Sequence, residues 1–144
     1  MGKKAGNDYR LWIDNGSGVY SEIKGQQDLT VNRDSSLIDT SSKDDGAYGT
    51  QMPGLKSCSI NCEIYPNLPD ASGYGRLETV ALASPQAANN FQVRKGGSAG
   101  SGSDVVFQAS MYVGNFNTAK PKNGVVGVSF QLALAAAPTV DALA

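Results

Sequence analysis

Apolar and polar residues alternate along three stretches of the chain. Between Ser57 and Tyr65, Cys58, Ile60, Cys62 and Ile64 fall on one side, opposite Ser57, Ser59, Asn61 and Glu63. Between Val105 and Val113, Val105, Phe107, Ala109, Met111 and Val113 oppose Val106, Gln108, Ser110 and Tyr112. Further on, Val126, Val128, Phe130, Leu132 and Leu134 oppose Gly127, Ser129, Gln131 and Ala133. A period of two predicts strands with one buried face. Leu11–Ile13, Val19–Ile23, Leu29–Val31 and Phe91–Lys95 are shorter candidates. Asn15-Gly16-Ser17-Gly18 separates the first two, and Asn-Gly between apolar runs is a strong hairpin signal because both residues tolerate positive φ. Only one stretch has helical spacing: Tyr74, Leu77, Val80 and Ala81 between Ser72 and Ser84. Asp70 or Ser72 is placed to cap it, and Pro85 ends it.

Elsewhere the periodicity fades. Residues 32–55 are rich in Asp, Ser, Thr, Gly and Lys and read as a long inter-strand loop, closed by a turn at Met52-Pro53-Gly54. Loops of that length in a small domain are either functional or disordered. Gly96–Asp104 reads as a flexible glycine-serine connection and Gly114–Gly124 as a turn-rich link. Residues 1–8 form an N-terminal arm, and 135–144 a loosely ordered tail. The expected fold is mainly β: a sandwich or barrel of about seven strands with one flanking α-helix, in a single domain over 1–144.

Composition narrows the function. Twelve Lys and Arg against 13 Asp and Glu leave a net charge of −1, without the basic excess of a protein that neutralises phosphates. No apolar run approaches the roughly 20 residues of a membrane span. Nothing apolar follows Lys3 and Lys4 as a secretory signal would require, so the expectation is a chain made in a cytosol. Charged residues are 17% of the chain, against roughly 25% in average soluble domains. The deficit sits on the strand faces: of Ser57, Ser59, Asn61, Glu63, Gln108, Ser110, Tyr112, Ser129 and Gln131, only Glu63 is charged. Free monomers usually protect exposed sheet with charge. Either these faces are simply serine-rich, or they are shared with other copies or line a channel.

Chemistry is sparse. Gly96-Gly97-Ser98-Ala99-Gly100 matches the nucleophile elbow of serine hydrolases, but the chain has no histidine to act as base. Gly97 and Gly102 have phosphate-loop spacing, yet Ser103 stands where the lysine is required. Asp39, Asp44 and Asp45 share the long loop without calcium-loop spacing. Spacing alone leaves open a carboxylate pair for acid–base work. Cys58 and Cys62 lie about 13 Å apart if on one strand, too far for a disulfide, and lack the further ligands of a zinc site. The expectation is no enzyme, no cofactor and no metal.

The segments taken together carry a resemblance. Leu11-Trp12-Ile13-Asp14 is followed by Ile23-Lys24-Gly25-Gln26-Gln27, then by Ile38-Asp39-Thr40-Ser41-Ser42-Lys43-Asp44. Pro53-Gly54-Leu55-Lys56-Ser57 then leads into an alternating strand, a helix and two closing strands. In this order the chain resembles the major tail proteins, or tail tube proteins, of long-tailed bacteriophages, over residues 9–140. It departs from the usual pattern in the Gly96–Asp104 insert and in lacking an Ig-like domain after the last strand.

The resemblance implies a structural protein of the virion tail, made in the cytoplasm of the bacterial host. Copies would form hexameric rings stacked into a tube around a tape-measure protein and ended by completion (terminator) and tail-tip proteins. The genome would pass through the lumen without sequence-specific binding, and no membrane is involved. It further implies that the long loop reaches the next subunit or ring, with Asp39, Ser41, Ser42, Lys43, Met52 and Gly54 in the contact. Gly2–Asp8 and Pro138–Ala144 are second candidates, and Ser59, Asn61, Glu63 and Gln131 are candidates for the lumen lining. The rival readings are a monomeric β-sandwich binding module and a tube protein of a related contractile or secretion device.

Overall fold

The structure is a computed structural model that describes residues 5–41, Gly46 and 48–142. It contains eight strands: β1 (Arg10–Asp14), β2 (Tyr20–Glu22), β3 (Gln26–Asp39), β4 (Gln51–Ile64), β5 (Asn89–Arg94), β6 (Val105–Ala119), β7 (Gly127–Leu134) and β8 (Val140–Asp141). One helix, α1 (Tyr74–Leu82), lies between β4 and β5. The strands form one antiparallel sheet in the order β2-β1-β5-β6-β7-β4-β3, with β8 paired to the first half of β6.

The sheet curls around a single core because each alternating strand turns its apolar side to the same interior. Cys58, Ile60, Cys62 and Ile64 meet Phe107, Ala109, Met111 and Val113 and Val128, Phe130 and Leu132 there, all buried. Leu11, Ile13, Ile23, Phe91 and Val93 complete it. Two side-chain links tie β3, at one end of the sheet, across to β1 and β8. Gln26, at the start of β3, accepts from the Leu11 N–H at 2.9 Å and donates to the Leu11 carbonyl at 2.8 Å. Arg33 on β3 holds Asp141 on β8 through two nitrogens, with Nε 3.0 and 3.1 Å from the carboxylate oxygens. Between β2 and β3, Gly25 has φ +85°, and a Cβ there would lie 1.9 Å from the Tyr65 carbonyl oxygen. Only glycine fits so tight a turn against β4.

The β1–β2 hairpin forms as its Asn-Gly signal predicts, with Gly16 at φ +94° and Gly18 at φ +87°. Asp14 fixes the turn by accepting from both of their N–H groups, at 3.0 and 2.9 Å. Helix α1 lays Tyr74, Leu77 and Val80 on the sheet, and Tyr74 stacks on Phe116 with ring centroids 6.3 Å apart. Its start is held by Asp70. This buried carboxylate accepts from Tyr74 N at 3.1 Å, from Gly73 N at 3.2 Å and from Lys24 N, across in the β2–β3 link, at 3.2 Å.

Five expectations are corrected. The stretch 32–55 is largely a hairpin rather than a loop: β3 runs on to Asp39, β4 begins at Gln51, and only residues 40–50 connect them. Met52-Pro53-Gly54 is not its turn but part of β4, with Pro53 opposite Leu37 next to a bulge. Proline and glycine are tolerated in strands at such bulges and at edges. Gly114–Ala119 belongs to β6, and the link to β7 is shorter than its composition suggested; a bulge at Asn115, φ +52°, breaks the alternation. Gly96–Asp104 forms two short 3-10 turns, the second closed by reciprocal bonds between Ser101 and Asp104. The tail is tied down at Val140–Asp141 by its ladder to Phe107 and Gln108.

Candidate functional site

The β3–β4 hairpin is the feature that stands apart from the core. Both strands have 14 residues. Strand β7 pairs with β4 only from Ser59 to Ile64, so the outer part of the hairpin is a two-stranded arm with no strand neighbour on either edge among the described residues. Its far end is fastened by hydroxyls. Thr40 and Thr50 join through backbone N–H to O at 2.9 Å and through their hydroxyls at 2.9 Å. Ser41 Oγ accepts from Thr50 N at 2.7 Å, while Ser41 N donates to Asp39 Oδ1 at 2.9 Å. That backbone donor, with the Ser41 side chain, holds the Asp39 carboxyl below its ordinary value.

Along the arm, Ile38 faces Met52 and Leu37 faces Pro53. Next to these pairs, Gly54 and Leu55 oppose the single residue Ser36, which makes a bulge. A Cβ on Gly54 would come within 2.5 Å of Ser36 Oγ, so the strands approach closely here because that side chain is missing. The arm carries large apolar side chains in water: Leu37 62% exposed, Ile38 51%, Met52 50%, Leu55 90% and Tyr48 84%. A free monomer gains nothing from this clustering, whereas a surface that meets a partner does.

Of the residues expected in the contact, Asp39, Ser41, Met52 and Gly54 gather on this arm, and Ser42 and Lys43 lie outside the described residues. Asp44 and Asp45, which share this segment with Asp39, do too. Leu37, Ile38, Tyr48 and Leu55, also exposed on or beside the arm, were not among the residues singled out from the sequence. The available signal was large apolar residues inside a polar segment. Of the terminal candidates, the structure describes Ala5–Asp8 and Pro138–Ala142.

The outward face of the sheet brings together the four residues expected in a lumen. Asn61 on β4 lies opposite Gln131 on β7 and Thr30 on β3, and Glu63 lies opposite Ser129 and Asp28. Ser59 lies opposite Asn32 and Ala133, and Asn115 Nδ2 donates to Gln131 Oε1 at 3.0 Å. Reading β3 as strand adds Asp28 and Asp34 to this face, because they pair with the outward-facing Glu63 and Ser57. Arg33 and Lys56 alternate to the opposite face. Among the described residues this outward surface of β3, β4 and β7 therefore carries three carboxylates and no basic side chain. Behind it, burial first and then the Asp28 and Glu63 charges push the Cys62 thiol up to about 12. Both cysteines are free and buried. Among the described residues no three His, Cys, Asp or Glu side chains gather to hold a metal ion.

A second polar cluster lies on the outward side of β1, β2 and β5. The Arg94 guanidinium sits 4.4 Å from the Trp12 ring centroid and 5.6 Å from that of Tyr20. Its Nε donates to Gln92 Oε1 at 2.8 Å, and the Gly96–Asp104 turns cover it through the Gly100 carbonyl at 3.4 Å. Burial, followed by the Asp14 charge, raises the Tyr20 phenol above its ordinary value. The Arg94 bond to Gly100 ties the insert to the sheet, while the buried Trp12 Nε1 has no hydrogen-bond partner among the described residues.

Comparison with known proteins agrees with this architecture. A family model described as phage tail tube protein matches residues 3–140. No curated protein sequence matches significantly. Among solved structures, the chain resembles a protein in the tail of an empty GTA particle refined with C6 symmetry, at 19% identity and TM-score 0.78, covering 97% of this chain and 100% of that one. A chain of the virion of a native gene transfer agent particle gives 18% identity and TM-score 0.78 over 97% and 100%. A chain of the SPP1 tail tube gives 13% identity and TM-score 0.68 over 98% and 81%. At these identities the structural likeness is one of fold.

Proposed function

This chain belongs to the phage tail tube protein family, and on that premise we propose that its copies form hexameric rings that stack into the tail tube through which the genome is delivered. Its role is that of a structural tail protein, and its geometry supports assembly rather than catalysis. The carrying observation is the β3–β4 arm, which leaves the core, is ordered by its own ladder and exposes apolar side chains that none of the described residues covers. The arm reaches a neighbouring copy with Asp39, Ser41, Met52 and Gly54, joined by Ser42 and Lys43 of the connecting segment. A head-to-tail contact of this kind closes as a ring or propagates by stacking. The unpaired edge of β3 is a hazard in a monomer and becomes usable surface in such an assembly.

The face holding Ser59, Asn61, Glu63 and Gln131 lines the lumen on this reading. Its carboxylates and neutral side chains leave DNA phosphates unheld, so the duplex slides. The tube surrounds a tape-measure protein and ends in completion and tip proteins, and the chain is made in the bacterial cytoplasm and used in the virion tail. Negative-stain electron microscopy of concentrated protein tests this reading. Rings or tubes are expected, and discrete small particles at every concentration overturn it in favour of a monomeric binding module. Deleting Ser41–Gly49 should remove the tubes and leave a folded monomer; intact tubes would take the arm out of the contact.

A further inference from the structure

An open groove of about 600 Å³ runs beneath β3, with Asp28 of the outward acidic face, Arg10 and Arg33 supplying its charged lining. Tyr9, Leu29, Val31, Val93, Val106 and Phe107 supply most of its apolar wall. It lies where the curled sheet fails to close, between the clip of Gln26 on Leu11 and the Arg33–Asp141 pair. Two details mark it as incomplete. β3 ends the sheet, so the strand above the groove has backbone groups with no ladder partner on that edge among the described residues. The Tyr9 hydroxyl, shut off from solvent, has no hydrogen-bond partner among the described residues.

The same chain carries an apolar surface without a seat, the tip of its hairpin arm. It cannot fill its own groove: Ile38 is seven residues beyond Val31 on the same extended strand, about 23 Å away. We propose that the groove beneath β3 receives the arm tip of a second copy, with Ile38 and Met52 entering between Leu29, Val31 and Phe107. This rests on the arm being an assembly contact and names the surface that receives it. The groove adjoins the free β3 edge already assigned to contacts between copies.

Size decides what kind of contact this can be. Leu37, Ile38, Tyr48, Met52 and Leu55, exposed as they are, offer on the order of 300 Å² of apolar surface, taking each side chain at the area implied by its transfer free energy. A stable pairwise interface uses roughly 800 Å² per partner. One tip in one groove is therefore too small to hold two copies alone, and holds where every copy both gives a tip and receives one.

Cysteine cross-linking between two variants tests the seat. Ile38→Cys marks the tip and Leu29→Cys the groove, with Val31→Cys as a second groove probe if the first folds poorly. The native Cys58 and Cys62 are buried and stay in place. The variants are mixed at a concentration at which electron microscopy shows tubes, then oxidised and run on a non-reducing gel. Disulfides need Cα atoms within about 7 Å, so in an equal mixture up to about half of the chains should run as covalent dimer, and none from either variant alone. A dimer from Ile38→Cys alone would mean tip-to-tip contact and overturn the proposal. Tubes without cross-linking in either mixture would overturn the groove while leaving the arm in the contact. If the wild-type protein forms no tubes, the assembly reading falls first and this one with it.

Discussion

Leu55 gives the sharpest separation between folding and assembly. It is 90% exposed at the bulge of the arm, so replacing it with serine removes almost nothing from the core. Fully burying a leucine is worth about 1.5–3 kcal/mol, and nine-tenths of that remains to be gained when a partner covers it, about 1.4–2.7 kcal/mol per contact. At about 1.4 kcal/mol per factor of ten, Leu55→Ser should raise the critical concentration for tube formation by about tenfold to a hundredfold. The assay is sedimentation of assembled material across a concentration series, with thermal unfolding of the unassembled protein in parallel. The melting temperature should stay within the scatter expected of surface substitutions. An unchanged critical concentration would refute the reasoning, because Leu55 would then stay in water in the tube. A large fall in melting temperature would refute it differently, by showing that the side chain supports the monomer.

Two further outcomes follow from particular contacts. Asp70→Ala leaves three backbone N–H groups without their charged acceptor and should lower unfolding free energy by about 3 kcal/mol or more, read as an earlier denaturant midpoint with assembly lost only through misfolding. A midpoint shift below 1 kcal/mol would mean water replaces the carboxylate. The Arg33 hydrogen bonds hold the Asp141 carboxyl below its ordinary value, so its contribution is present above the unfolded carboxylate range and is lost as pH falls through the depressed value. The pair is largely exposed, which limits it to about 1 kcal/mol. The stability gap between the wild type and Asp141→Asn should be open near pH 6 and close toward pH 2; a gap that widens on acidification would contradict the assignment.

What could be read in advance depended on whether a strand had an inside. Cys58–Ile64, Phe107–Val113 and Val128–Leu132 bury one face, so their alternation showed, and the helix showed through Tyr74, Leu77 and Val80. Residues 32–39 and 51–55 are held by backbone pairing with both faces largely in solvent, so no burial imposed a period of two on their side chains. Pro53 and Gly54 then looked like a turn although they form a bulge. At Asn115 the extra residue shifted Phe116 out of the alternation that precedes it. The Gly96–Asp104 insert looked flexible by composition, but Arg94 and the Ser101–Asp104 bonds order it. The candidate lumen residues were legible because they are the polar halves of well-patterned strands. The arm was legible only as an anomaly, and the groove depends on curvature that a one-dimensional pattern does not carry.

On the proposed docking, the arm and the groove beneath β3 that receives it are encoded by one gene, which changes how such a contact tolerates mutation. A substitution at Ile38 or Val31 is repeated at every position along the tube, so a defect of a few tenths of a kcal/mol is never diluted by normal neighbours. A matching change on the other surface is inherited with it, in the same chain, and reaches every contact at once. The arm has little core to protect and is free to drift so long as its groove drifts with it. Tubes from two diverged lineages should therefore co-assemble poorly even where their sheets superimpose.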